Sequence, residues 1–288
     1  MSERIALTLG GCLKNIWVSV SGAVAQQRNV ETIANNVANA NTPGFKKDKL
    51  VFKEYLTALD KGIDDIDLPN KEWKPDDFYK TYGAQNAHVK VDASYTNFSQ
   101  GQLTPTSNPL DVALNGKGFF EVLTPNGIRY TRRGTFTINQ QGELVTDQGY
   151  AVLNKEDWSK LSSKKNNNNF PSPEQRKIKL SNTPVTINMR GEIYQQGKKV
   201  GDISVVEFND LHTLKKEGNS LFINTQKDNI KTTNQTVVSQ GFIEESNVNA
   251  VLEMSSLIKA NRHFESIQKA MKAYDSMTGK SVNDIARF

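Results

Sequence analysis

Apolar residues recur at alternating spacings of four and three from Ile16 to Val37: Ile16, Val20, Ala23, Gln27, Val30, Ala34 and Val37. These are inner positions of a heptad repeat, and only Gln27 among them is polar. Trp17, Val24 and Ile33 widen the stripe. The pattern predicts a helix that stops at Asn41-Thr42-Pro43-Gly44, because proline cannot continue it and glycine tolerates the turn. A second stripe lies at the other end: Val251, Met254, Leu257, Ile258, Phe264, Ile267, Met271, Tyr274 and Met277, mostly at helical spacing. Ser246, Asn247 or Asn249 is placed to cap that helix, and Glu253 suits the positive end of its dipole. Gly279 is expected to close it, giving a helix of about 29 residues and about 44 Å.

Between these ends the period becomes two. Gly118-Phe119-Phe120-Glu121-Val122-Leu123 leads into Thr124-Pro125-Asn126-Gly127 and then Ile128-Arg129-Tyr130-Thr131. An Asn-Gly pair between two such runs is a strong hairpin signal. Gly134 to Ile138 and Gly142 to Val145 predict a second hairpin about Asn139-Gln140-Gln141. Thr186-Ile187-Asn188, Glu192-Ile193-Tyr194 and Asp202 to Phe208 extend the theme. Residues 60–85 are charged and turn-rich (Asp64-Asp65, Pro69-Asn70, Pro75-Asp76-Asp77), and the Asn-rich run 162–169 reads as a low-complexity loop. The expected fold is therefore α+β with a mainly β core. It has an N-terminal helical segment (1–45), a linker or extended loop (46–85), a central β domain of many short strands (86–240) and a C-terminal helical segment (241–288).

A narrow apolar stripe returns less on burial than ordering a lone helix costs, so each terminal helix needs a partner. Two helices from opposite ends of the chain, paired in a coiled-coil-like layer and packed against other copies, share that burial. The termini are accordingly expected to order on assembly.

The 288 residues are 36% hydrophobic with a net charge of +5, a polar balance for one compact enzyme domain. Lys and Arg are scattered, with short knots such as Phe45-Lys46-Lys47, so the charge reads as solubility and not as a nucleic-acid face. No apolar run approaches the length of a membrane span. A single cysteine, Cys12, excludes an intrachain disulfide, and His88, His212 and His263 lack metal-site spacing. No cofactor is expected. Gly116-Lys117-Gly118 precedes a strand-like run where a phosphate loop would need a helix, and no Gly-x-Ser-x-Gly elbow occurs. Lys14, Ile16 to Val20 and Ala23-Val24-Ala25 mimic a cleaved leader, but cutting there would split the first helix.

Three blocks carry a resemblance to a known family. Thr32-Ile33-Ala34-Asn35-Asn36-Val37-Ala38-Asn39-Ala40-Asn41-Thr42-Pro43-Gly44-Phe45-Lys46 resembles, almost letter for letter, the N-terminal motif of the axial proteins of the bacterial flagellum, its rod and hook subunits. Asn108 to Phe120, with Tyr130-Thr131-Arg132-Arg133-Gly134-Thr135-Phe136 and Gly142 to Thr146, is similar to the opening of that family's β domain. Gln240 to Val251 is similar to the segment that begins its C-terminal helix. Arg262-His263-Phe264-Glu265 and Gln268 to Lys272 look most like the proximal rod type.

The resemblance implies a structural subunit and no enzyme. It implies copies stacked in a helical tube across the periplasm that carries motor torque toward the hook, with paired terminal helices inside and the β domain outside. The implied partners are further copies, other rod and hook axial proteins and the flagellar export apparatus, which would export the chain without a cleaved signal. Asn35, Asn36, Asn39, Asn41, Thr42, Pro43, Gly44 and Phe45 carry the rod motif. The alternatives are a distal rod or hook-type subunit and, outside the family, an adhesive or carbohydrate-binding β module.

Overall fold

The computed structural model describes residues 2–58, 85–155, 173–181, 183–231 and 235–285. Helix α1 spans Ser2–Ala38 and helix α2 spans Ala250–Ile285. Both outrun the expected lengths. Gly279 sits in open space with an ordinary helical backbone, and one interior glycine costs only about 1 kcal/mol. Termination of α1 follows the sequence: successive short turns link Asn39 N to Asn36 O (3.2 Å), Thr42 N to Asn39 O (3.2 Å) and Phe45 N to Thr42 O (3.2 Å).

The strands are β1 (Asp48–Ala58), β2 (Gln85–Thr96), β3 (Leu103–Pro105), β4 (Val112–Asn115), β5 (Phe119–Thr124), β6 (Gly127–Thr131), β7 (Phe136–Ile138), β8 (Leu144–Thr146) and β9 (Ala151–Val152). They continue with β10 (Val185–Ile187), β11 (Glu192–Gln195), β12 (Lys198–Asp202), β13 (Val205–Phe208), β14 (Leu214–Lys216), β15 (Leu221–Asn224), β16 (Ile230–Lys231), β17 (Val237–Gln240) and β18 (Phe242–Glu244). The architecture is mainly β with two terminal helices. Of the segment 46–85, residues 48–58 are strand β1, which carries the aromatic and aliphatic run Leu50-Val51-Phe52 and pairs with β2. Residues 59–84 and the Asn-rich run 162–169 lie outside the described residues. No helix among the described residues is long and apolar enough to cross a membrane.

The chain forms two compact units. One holds Met1–Asn35, Lys49–Tyr95 and Val251–Phe288; the other holds Asn36–Asp48 and Thr96–Ala250. In the first, the amide of Val89 on β2 donates to Ser21 Oγ of α1 (3.2 Å), and Gln26 Nε2 donates to the Ala260 carbonyl of α2 (3.1 Å).

In the second unit the main sheet runs β14-β15-β6-β5-β9-β8-β7, with β13 pairing both β5 and β16. The β5–β6 hairpin closes at Thr124 opposite Gly127, whose φ of 102° needs glycine. The second hairpin pairs Phe136 with Thr146 and Ile138 with Leu144. Successive strand residues face opposite sides, so Phe119 and Phe120 enter different cores. Phe120 packs with Val112, Leu114, Val122, Phe136 and Ile203, and its ring meets Phe136 edge-on at 5.1 Å. Phe119 packs with Tyr130, Val206, Phe208 and Phe222, its ring 5.6 Å from Phe208 and 5.7 Å from Phe222.

Candidate assembly interface

The terminal helices present two kinds of apolar position. On α2, Leu257, Phe264, Ile267 and Met271 are half-buried and Ala260 is buried, a run at spacings of three and four. A second run on the same helix is open to solvent: Val251 is 74% exposed, Met254 51% and Ile258 55%, with Leu252 and Tyr274 also exposed. An amphipathic helix with one apolar stripe covered and another bare has a face ready for a neighbour.

On α1, Ala23 is buried and Val20, Val30 and Val37 are half-buried, whereas Gln27 and Ala34 are exposed. Gln27 instead donates to Glu31 (3.1 Å) one turn on. Between the shared positions Ala25 and Asn36 are buried and Gln26, Asn29, Thr32 and Ile33 half-buried, and one sheltered run at helical spacing reads 23, 26, 30, 33, 37. The side chain of Ile16 lies outside the described residues.

The rod-motif residues divide by role. Asn35 and Asn41 are exposed, Asn39, Thr42 and Pro43 are half-buried, and Asn36, Gly44 and Phe45 are buried. Asn36 Nδ2 donates to Asp48 O (2.9 Å), and Asp48 N donates to Asn36 Oδ1 (3.0 Å). Gly44 has φ 68°, and a Cβ there would lie 2.6 Å from Arg133 N, so both conformation and space demand glycine. Its amide donates to Glu244 O (2.7 Å). Phe45 is covered by Lys216, whose ammonium sits 3.9 Å from the ring centre and also bonds Asp48 Oδ2 (2.9 Å) and Lys46 O (2.8 Å).

Beneath this turn lies a buried ionic cluster. Lys46 and Glu244 side chains are wholly buried, and Arg132 nearly so. Lys46 Nζ approaches Glu244 Oε1 at 2.5 Å and donates to Ser99 O at 2.8 Å. Arg132 Nη1 reaches Glu244 Oε2 at 3.3 Å, Nη2 bonds Gly116 O at 2.7 Å, and the guanidinium lies 4.8 Å from the centre of the Phe119 ring. The Gly101 amide donates to Glu244 Oε1 (2.9 Å). Burial pulls the Lys46 ammonium below its ordinary range; Glu244 opposes that shift and Arg132 adds to it. Asn247 completes the neck: Lys47 N donates to its Oδ1 (2.8 Å), and its Nδ2 donates to Asn97 O (2.8 Å) and Ser99 O (3.1 Å). Asn247 is therefore occupied in the neck, and α2 begins immediately after Asn249.

Sequence reasoning missed Lys46, Arg132, Glu244, Asn247 and Lys216 as a set. Read singly, each is a polar residue in a polar run. The available signal was position: Lys46, Arg132, Glu244 and Asn247 all fall inside the three blocks that carry the family resemblance.

Comparison with known proteins follows the same three segments. A family described as flagella basal body rod protein matches residues 16–46. The flagellar hook protein FlgE/F/G D1 domain matches 113–195, and the flagellar basal body rod FlgEFG protein C-terminal family matches 239–285. The chain is 31% identical over 273 residues to the flagellar basal-body rod protein FlgF of Caulobacter vibrioides, covering 94% of this chain and 98% of that protein. It is 32% identical over 282 residues to the rod protein FlgG of Buchnera aphidicola subsp. Schizaphis graminum, covering 93% and 98%. It is 29% identical over 296 residues to the hook-basal body complex protein FlhO of Bacillus subtilis, covering 96% and 99%. Lys46, Arg132 and Glu244 fall one in each matched segment, so the ionic cluster ties together the three parts by which the relationship is recognised. The chain belongs to the flagellar basal-body rod protein family and is a structural subunit of that rod.

Proposed function

We propose that this chain is a proximal rod subunit that self-assembles, with other copies and other rod and hook axial proteins, into the helical tube that transmits motor torque to the hook. In this reading the terminal helices pair in a coiled-coil-like inner layer and the β unit faces outward. Val20, Ala23, Val30 and Val37 on α1, with Leu257, Phe264, Ile267 and Met271 on α2, supply the pairing stripe. The chain reaches the rod through the flagellar export apparatus without a cleaved signal peptide.

The observation that carries this reading is the bare apolar run Val251, Met254 and Ile258 on a long terminal helix. A monomer gains nothing from that run, whereas a packed axial neighbour covers it. The hydrogen bond from Gln26 to the Ala260 carbonyl supports helix pairing. The proximal position rests on the Arg262-His263-Phe264-Glu265 ending, and a distal position is the alternative, supported by the 32% identity to FlgG.

Electron microscopy of basal bodies isolated from cells lacking this chain tests both. A proximal subunit leaves an axle that stops near its base, a distal subunit leaves one that stops close to the hook, and a complete axle contradicts the proposal.

A further inference from the structure

Glu244 is the single anion between two buried cations. Its carboxylate meets Lys46 (2.5 Å), Arg132 (3.3 Å) and the Gly101 amide (2.9 Å), and its carbonyl accepts from Gly44 (2.7 Å). Those four partners come from three separate stretches of chain, and Glu244 lies 198 residues from Lys46 and 112 from Arg132. The backbone attachment of β18 is slight by comparison: it pairs over three residues with β3, flanked by Glu245 N to Gln102 O and Thr106 N to Gly241 O. The aromatic core of Phe119, Tyr130, Phe208 and Phe222 is built from β5, β6, β13 and β15; from the neck, Phe98 packs its ring against it, 5.8 Å from Phe119 and 5.3 Å from Phe222.

We infer that Lys46, Arg132 and Glu244 form an electrostatic latch that holds the neck of the β unit shut, and that the neck opens as a local unit when the latch is broken while the core stays folded. The neck comprises the incoming stretch Gly44–Asp48, the outgoing stretch Gly241–Asn247 and the crossing stretch Asn97–Thr106. Without Glu244 the closed neck would bury two like charges that have lost their shared carboxylate partner, leaving Arg132 with the weaker influence of Glu207. Removing one partner of a buried ion pair is far more costly than replacing the whole set with apolar groups. Water then has to reach Lys46 and Arg132, and it can do so only by separating the three stretches. With the anion in place, the way into the β unit from α1 and the way out to α2 are fastened to each other. The Glu244 carboxylate shares that fastening with the bonds from Gly44 N to Glu244 O and from Lys47 N to Asn247 Oδ1.

Hydrogen exchange on the full chain tests this directly. Glu244→Gln keeps the shape of the side chain and an acceptor for Gly101 but removes the charge. The latch predicts that the amides of Gly44, Gly101 and Glu245 exchange about a hundredfold faster or more, while amides of β5, β6 and β15 keep their protection. Adding Lys46→Met removes one of the two stranded cations and returns much of the neck's protection, which loss of hydrogen bonding alone would not allow. Unchanged exchange at the neck overturns the inference. So does equal acceleration throughout the β unit, a Glu244→Gln chain that does not fold, or the absence of any recovery with Lys46→Met.

Discussion

Asn36 and Asp48 exchange two hydrogen bonds, one from the Asn36 amide group to the Asp48 carbonyl (2.9 Å) and one from the Asp48 amide to Asn36 Oδ1 (3.0 Å). The side chain of a helical residue thus stands in for a strand partner and fixes where β1 begins relative to the last turn of α1. Because Asn36 is buried, Asn36→Ala strands a backbone donor and a backbone acceptor. The expected loss is about 2–4 kcal/mol. Chemical denaturation checks it, and a loss below about 0.5 kcal/mol, the level of an ordinary surface change, would show that the pair does not fix the turn.

Gly44 gives a sharper case. Its positive φ disfavours any side chain, and the would-be Cβ meets the backbone of Arg133, which cannot move aside like a flexible side chain. Gly44→Ala is expected to destabilise the β unit by about 2 kcal/mol or more. Gly197→Ala serves as a control, because its φ of 76° carries the same backbone cost but nothing lies within 4 Å of the added carbon. The difference between the two melting shifts isolates the clash.

Truncation tests where the β unit starts. A chain beginning at Asn36 keeps the Asn36–Asp48 pair, the Gly44–Glu244 bond and the buried ring of Phe45. A chain beginning at Lys46 loses all three and should be less stable by about 4 kcal/mol or more. Equal denaturant midpoints for the two chains would mean that residues 36–45 add nothing to the fold of the β unit.

Glu207 makes stability depend on acid. Burial alone would raise its pKa, but bonds from Thr236 Oγ1 (2.7 Å), Gln235 N (2.6 Å), Lys231 Nζ (3.4 Å) and Thr236 N (2.8 Å) outweigh it and hold the carboxylate below its ordinary value of 4.5. A carboxylate with a depressed folded-state pKa contributes stability above its unfolded pKa and loses it as pH falls through the folded value. Wild type should therefore exceed Glu207→Gln in stability at neutrality, and the gap should close as pH falls below about 4. A gap that stays constant down to about pH 3 would assign Glu207 a purely steric role.

The sequence made the helices and hairpins readable because their signals are local. Asn126-Gly127 sits at the β5–β6 turn, and Pro43-Gly44 follows the end of α1. The neck was not readable for a physical reason. Lys46 beside Lys47, Arg132 beside Arg133 and Glu244 beside Glu245 each look like solvated pairs, and in each pair one charge turns inward to meet residues a hundred or more positions away. Burial of an ion is set by tertiary structure and leaves no periodicity. The inner stripe of α1 was readable only in part, since Ala23, Val30 and Val37 are shared by two registers and the sheltered run takes Gln26 and Ile33 in preference to Gln27 and Ala34. An alanine-diluted stripe, weak in apolar contrast, cannot distinguish registers one residue apart.

Replacing Met254 and Ile258 together by serine tests the assembly role most directly. Both side chains are more than half exposed, so the isolated chain should keep its stability to within about 1 kcal/mol. Swimming of cells carrying the double variant as their only copy is the measurement. Loss of swimming, with rods missing or shortened in isolated basal bodies, is the expected result; full motility with rods of normal length would contradict an assembly role for the bare face of α2.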